Sequence, residues 1–142
     1  MYLSRPAEYA LRASTYLARL EPGKRVTSSQ LAQAVDVPPA FLSKIMRRLT
    51  ANGIVDSKKG HHGGFVLARP PVEIRFLDIL RAVEFGPIKD HCLFGLGNCN
   101  ADNPCPLHVE WEILKQQIEQ WARTHTLGES LNAAQAFKQK QA

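Results

Sequence analysis

The sequence predicts a mainly α-helical fold with a small β-hairpin, arranged as a winged helix-turn-helix domain followed by one long helix. Three observations carry this expectation. Apolar residues recur at helical spacing in three successive segments before Gly53. The pattern then changes to that of paired strands on either side of "KGHHGG". After Pro106 helical spacing resumes in one long run, "LHVEWEILKQQIEQWARTH".

Taken in order, Ser4 is a natural cap for a first helix over about residues 5–20, where Tyr9, Ala13, Tyr16, Leu17 and Leu20 share a side. "EPGK" stops it, because neither Pro22 nor Gly23 sustains a helix. A second, shorter helix follows "VTSSQ", with Thr27 or Ser28 as its cap and Leu31, Ala32 and Val35 on its apolar side. Pro38 and Pro39 suit a helix start, so a third helix is expected over about 39–51, with Gly53 just past its end. Its apolar positions are Phe41, Leu42, Ile45, Met46 and Leu49. "GIVDSK" and "GFVLARP" then form a hairpin, and "IRFLDILRAVEF" returns to helix through Phe76, Ile79, Leu80 and Val83. The glycine-, proline- and asparagine-rich stretch from Cys92 to Pro106 reads as loop. In the long helix beyond it, Val109, Ile113, Ile118 and Trp121 lie on roughly one side. The expected divisions are a winged domain over 1–85, a cysteine-rich loop over 86–106, a long helix over 107–127, and a short C-terminal helix with a fraying polar tail over 128–142.

Charge is divided unevenly along the chain. Residues 1–75 hold twelve Lys/Arg against five Asp/Glu, a net +7, whereas residues 76–142 hold six against eight, a net −2. The basic half is therefore the candidate surface for a polyanion. The face of the third helix opposite Phe41, Ile45 and Leu49 offers Ser43, Lys44, Arg47 and Arg48, and Ser28 opens the second helix. Such side chains reach phosphates and guanine edges in a major groove, which is wide enough to admit a helix. Lys58, Lys59, His61 and His62 at the hairpin tip can grip the neighbouring backbone or minor groove. Each piece alone also fits a small core with solvated basic faces, but the ordered set points to double-stranded DNA.

All three cysteines, Cys92, Cys99 and Cys105, fall within "HCLFGLGNCNADNPCPLH". The opening residues lack the pattern of a secretory signal and no apolar run approaches a membrane span, so a cytoplasmic protein is expected, in a compartment where disulfides do not persist. Gaps of six and five residues separate the thiols, and two more lead to His108. Zinc fingers and ribbons use pairs of close cysteines, which this loop lacks. Wider spacing in a glycine-rich loop suits a larger object such as an iron-sulfur cluster, in which an imidazole can replace a thiolate. A zinc site of three cysteines and a histidine, a thiol-disulfide switch, and incidental cysteines remain the alternatives. A thiol-dependent oxidoreductase is the remote one, because Cys-x-x-Cys and nucleotide-binding glycine motifs are absent from the sequence. The expectation is a chain that is not an enzyme.

"LSRPAEYALRA", "FLSKIMRRLTANGIV", "KKGHHGGFVLARP", "CLFGLGNCNADNPCPLH" and "TLGES", in this order, resemble the Rrf2 family of bacterial winged-helix regulators over residues 1–134. The resemblance implies a transcriptional regulator that forms a homodimer on the long dimerisation helix and binds a pseudo-palindromic operator. It further implies that an iron-sulfur cluster in the loop sets operator affinity in response to iron-sulfur status, redox state or nitric oxide. Cys92, Cys99 and Cys105 fall on the family's cysteine ligands. The position of His108 completes a 2Fe-2S site in some members, and that of Glu8 of the partner subunit completes a 4Fe-4S site in others. His108 and 2Fe-2S are the expectation here, since an imidazole so placed needs no second chain. The six-residue first gap is one longer than either kind of member typically has. The wing reader falls on Lys59, and the third helix reads through Ser43, Lys44, Arg47 and their neighbours. Where the family carries polar residues at the start of that helix, this chain has Pro38, Pro39 and Ala40.

Overall fold

The computed structural model describes residues 3–83, 92–95 and 102–132. Helix α1 (Arg5–Ala18) runs through the centre, in contact with four other helices. The Ser4 hydroxyl accepts from the Ala7 N–H at 3.3 Å and caps it as expected. Ala7, Ala10, Ala13, Ser14 and Leu17 are buried at three- and four-residue spacing, and their small side chains let neighbouring helices approach closely. The helix ends at Ala18 rather than near Leu20. The Arg19 and Leu20 N–H groups turn back to the Tyr16 and Leu17 carbonyls at 3.1 and 3.3 Å, tightening the last turn.

Helix α2 (Ser28–Val35) has Thr27 as its cap, reciprocally bonded with Gln30: the Gln30 N–H donates to Thr27 Oγ1 at 3.2 Å and the Thr27 N–H to Gln30 Oε1 at 3.0 Å. Leu31, Ala32 and Val35 are buried, and Asp36 closes the helix in the left-handed region at φ 52°. Helix α3 (Pro39–Ala51) starts on its proline and buries Leu42, Ile45, Met46 and Leu49. Phe41 departs from the expected apolar set, being 57% exposed and edge-on to Tyr9 with ring centroids 6.4 Å apart. Each four-residue step advances about 40° around a helix, which carries Phe41 out of the sector that Ile45 and Leu49 bury. Gly53, at φ 71°, ends the helix, and the Ile54 N–H reaches the Leu49 carbonyl at 3.0 Å.

Strands β1 (Val55–Lys58) and β2 (Gly64–Leu67) pair antiparallel, Val55 opposite Leu67 and Lys58 opposite Gly64. Val26, just before α2, pairs with Phe65 on the other edge, with hydrogen bonds of 3.1 and 2.7 Å. The wing is thus tied to the helices at its base. Gly64 is required there: its φ is 125°, and a Cβ would meet the Val26 carbonyl oxygen at 2.4 Å. A 3-10 turn (Pro71–Glu73) leads into α4 (Phe76–Ala82), which begins with the Arg75 N–H donating to Asp78 Oδ2 at 3.0 Å.

Helix α5 (His108–Thr124) packs on α4, and α6 (Leu127–Asn132) returns to α1 and the 3-10 turn. Between them Arg75 and Thr126 form a bridge: the Leu127 N–H donates to the Ile74 carbonyl at 2.9 Å and the Phe76 N–H to that of His125 at 3.0 Å. Leu127 is fully buried in the core of the winged half. The buried residues of α5 are Lys115 and Ala122, whereas Val109, Ile113, Leu114 and Trp121 are 66, 52, 51 and 46% exposed. Its apolar side therefore faces away from the protomer's own core. Among the described residues no helix is long and apolar enough to cross a membrane.

Candidate functional site

A groove of about 890 Å³ separates the helix-turn-helix from the wing. Ser28 lines it from the start of α2, Ser43 and Arg47 from α3, and Lys58, Lys59, His61 and His62 from the hairpin. Seven of the nine residues expected to contact DNA thus surround one concavity. Among the described residues its charged and titratable side chains are Arg47, Lys58, Lys59, His61 and His62, and no carboxylate of those residues lines it. Two cationic walls without an acidic residue between them make a seat for a polyanion.

Backbone geometry sets the wing tip. Gly60 and His62 both have positive φ, 87° and 58°, and a Cβ on Gly63 would meet the Lys58 carbonyl oxygen at 2.4 Å. The resulting turn sets the His61 and His62 rings with centroids 4.0 Å apart at the groove edge. Arg25 fixes the wing's tilt. Its guanidinium pairs with the Asp56 carboxylate, and Nη1 donates to the Gly64 carbonyl at 3.1 Å. Arg25 therefore acts as a clamp across both strands, a role without a sequence signal, because its partners lie far along the chain.

The two remaining residues of the expected set lie off the groove lining. Lys44 is exposed on the flank of α3. Arg48 is half-buried on another side, where Nη1 donates to the Val83 carbonyl at 3.3 Å. One residue along a helix is a rotation of about 100°, enough to send neighbouring arginines in different directions. Thr27, marked in the sequence only as a helix cap, also lines the groove, as do Thr50, Ala51, Ser57 and Phe65, which carry no distinctive mark there.

Of the cysteine stretch, residues 92–95 and 102–108 are described, and Cys99 lies outside the described residues. Cys92 and Cys105 are both half-buried. The Cys92 carbonyl accepts from the Gly95 N–H and that of Cys105 from the His108 N–H, both at 3.0 Å. His108 is the first residue of α5 and half-buried. Glu8 lies in the first turn of α1, also half-buried. Among the described residues no three His, Cys, Asp or Glu side chains converge as a metal site. Soft thiolates with one imidazole nonetheless match an iron-sulfur cluster in donor chemistry.

Comparison with known proteins agrees with this architecture. The family Rrf2, described as "Iron-dependent Transcriptional regulator", matches residues 3–133. A relative in Aquifex aeolicus that bears the name of an HTH-type transcriptional regulator is 37% identical over 134 residues, 93% of this chain and 92% of its own length. The HTH-type transcriptional regulator IscR of Escherichia coli is 26% identical, over 93% of this chain and 81% of that protein. Among solved structures, CymR, the global cysteine regulator of B. subtilis, superposes with a TM-score of 0.78 at 22% identity, covering 94% of this chain and 98% of that one. IscR of T. potens superposes with a TM-score of 0.74 at 25% identity, covering 94% and 88%. A winged helix-turn-helix with a cationic groove, matched along nearly its whole length, makes this chain a member of the Rrf2 family of DNA-binding transcriptional regulators, which are not enzymes.

Proposed function

We propose that two copies of this chain, joined through the outward apolar face of α5, bind a pseudo-palindromic operator whose affinity is set by an iron-sulfur cluster at the cysteine loop. In this reading Ser43, Lys44 and Arg47 of α3 enter the major groove, Ser28 meets the backbone, and Lys58, Lys59 and His61 grip the adjacent phosphates or minor groove. Cys92, Cys99, Cys105 and His108 would hold the cluster, a 2Fe-2S group, which when bound supplies redox and iron responsiveness. The family's description as iron-dependent supports an iron-containing group.

One observation carries the coupling. The segment that holds the thiols runs between two anchored ends: Val83, whose carbonyl accepts from Arg48 of α3, and Cys105, whose carbonyl accepts from His108 of α5. Three thiols drawn to one centre would shorten the span of chain that links those ends. The loop thereby bears on both the reading helix and the helix that joins protomers.

Purification without oxygen tests this directly. The expected product is coloured, with visible absorption and both iron and acid-labile sulfide. Colourless protein with stoichiometric zinc would replace the cluster by a zinc site, and metal-free protein would leave a thiol switch. His108→Ala is expected to change the spectrum and shorten cluster lifetime while Glu8→Ala does neither. The reverse result would assign the fourth ligand to Glu8 of the partner subunit and the cluster to the 4Fe-4S type.

The wing has its own test. Lys59→Ala is expected to weaken binding to all duplexes alike, and to lower the slope of log affinity against log salt by about one for each phosphate contact removed. An unchanged salt slope in filter binding or fluorescence anisotropy would place Lys59 away from the backbone.

A further inference from the structure

The start of α3 is chemically unlike the rest of its groove-side stripe. Pro39, Ser43 and Arg47 follow at four-residue spacing, with Ala40 beside them, and all four are exposed. Ser43 and Arg47 line the cationic groove, so Pro39 and Ala40 extend the same stripe to the end of the helix. In a helix-turn-helix the first residues of the reading helix sit closest to the base edges. Here they offer a pyrrolidine ring and a methyl group. Pro38 and Pro39 have no N–H, no side chain caps this end, and the Leu42 N–H is already bonded to the Pro38 carbonyl at 3.0 Å. The end of the stripe therefore has no side-chain donor or acceptor with which to read adenine or guanine edges.

One feature of the major groove matches an exposed apolar surface of this size, the C5-methyl group of thymine. We infer that Pro39 and Ala40 are specificity-determining residues that pack on thymine methyl groups, so that each operator half-site carries thymine where the first turn of α3 meets the bases. This rests on α3 being the element that enters the major groove. Ser43 and Arg47, one turn and two turns further along, read the adjoining positions by hydrogen bonding. A·T pairs at the tip of the helix are then selected by shape and methyl contact rather than by a donor-acceptor code.

The test alters the DNA, so folding of a variant is not at stake. Full-length protein, purified without oxygen, selects its preferred duplexes from a randomised pool, and each thymine in the enriched sequence is replaced singly by uracil, which lacks only the methyl. The expected result is a loss of about fourfold in affinity per methyl at one or two thymines of each half-site. These should adjoin the positions whose base preference relaxes in Arg47→Ala, and Ala40→Gly should reduce the sensitivity to uracil there while leaving it unchanged elsewhere. An enriched site without thymine beside the Arg47-dependent positions, or one indifferent to uracil there, would overturn the inference. Arg47→Ala that changes neither affinity nor base preference would instead overturn the placing of α3 in the groove.

Discussion

Leu127→Ala is expected to lower the free energy of unfolding by about 2–5 kcal/mol, a large part of the stability of a domain this size. Leu127 is 0% exposed and belongs to the same cluster as Ile74, Ile79 and Leu80. Truncating it leaves a cavity that its neighbours cannot readily fill, because the backbone there is held by the Leu127 N–H bond to Ile74 and the Phe76 N–H bond to His125. The bridge at Arg75 and Thr126 brings the end of α5 back onto the winged half, and α6 then packs on α1. Loss of Leu127 should loosen that return as well as the core. Urea denaturation at fixed protomer concentration measures it, with Gln33→Ala, at an exposed site of α2, as the reference. A Leu127→Ala protein no less stable than Gln33→Ala would mean that α6 is not part of the folded unit.

This docking was not legible in the sequence, and the reason is general. Helices α1, α2 and α3 and the hairpin follow from local signals: the Ser4 and Thr27 caps, Pro39 at a helix start, Gly53 at a helix end, and the glycines of the wing tip. What escapes is set by partners remote along the chain. Val26 pairs with Phe65, Arg25 clamps Asp56 and Gly64, and Thr126 meets Arg75, and none of these leaves a periodic trace. The site divides in the same way. The residue types that line the groove could be named from composition and order, whereas the separation of Arg47 from Arg48 depended on a single step around α3. In α5 the periodicity was readable but not the direction it faces, because an apolar stripe has the same spacing whether it covers the chain's own core or another surface.

That direction leads to the largest expected functional effect. Ile113→Asp is expected to convert the proposed dimer into a monomer and to weaken binding to a full two-half-site operator by about 10²- to 10⁴-fold, while binding to an isolated half-site stays nearly unchanged. Val109, Ile113, Leu114 and Trp121 together expose an apolar stripe that the protomer leaves uncovered, and Trp121 is partly steadied against Phe76 with ring centroids 5.3 Å apart. In a two-fold symmetric pair the same stripe meets itself, so one substitution places two carboxylates within the contact. Each would lose water inside an apolar contact and face its symmetry mate's like charge, which is far more costly than the loss of one aliphatic contact. The protomer should fold as before, because Ile113 is already 52% exposed and contributes little to its own core. Sedimentation equilibrium reads the change in mass, a thermal melt reads the intact fold, and the two duplex lengths separate lost bivalency from damage to the groove. Equal weakening on both duplexes would place Ile113 in the reading of DNA rather than in the joining of protomers. An unchanged mass would move the dimer contact to another face.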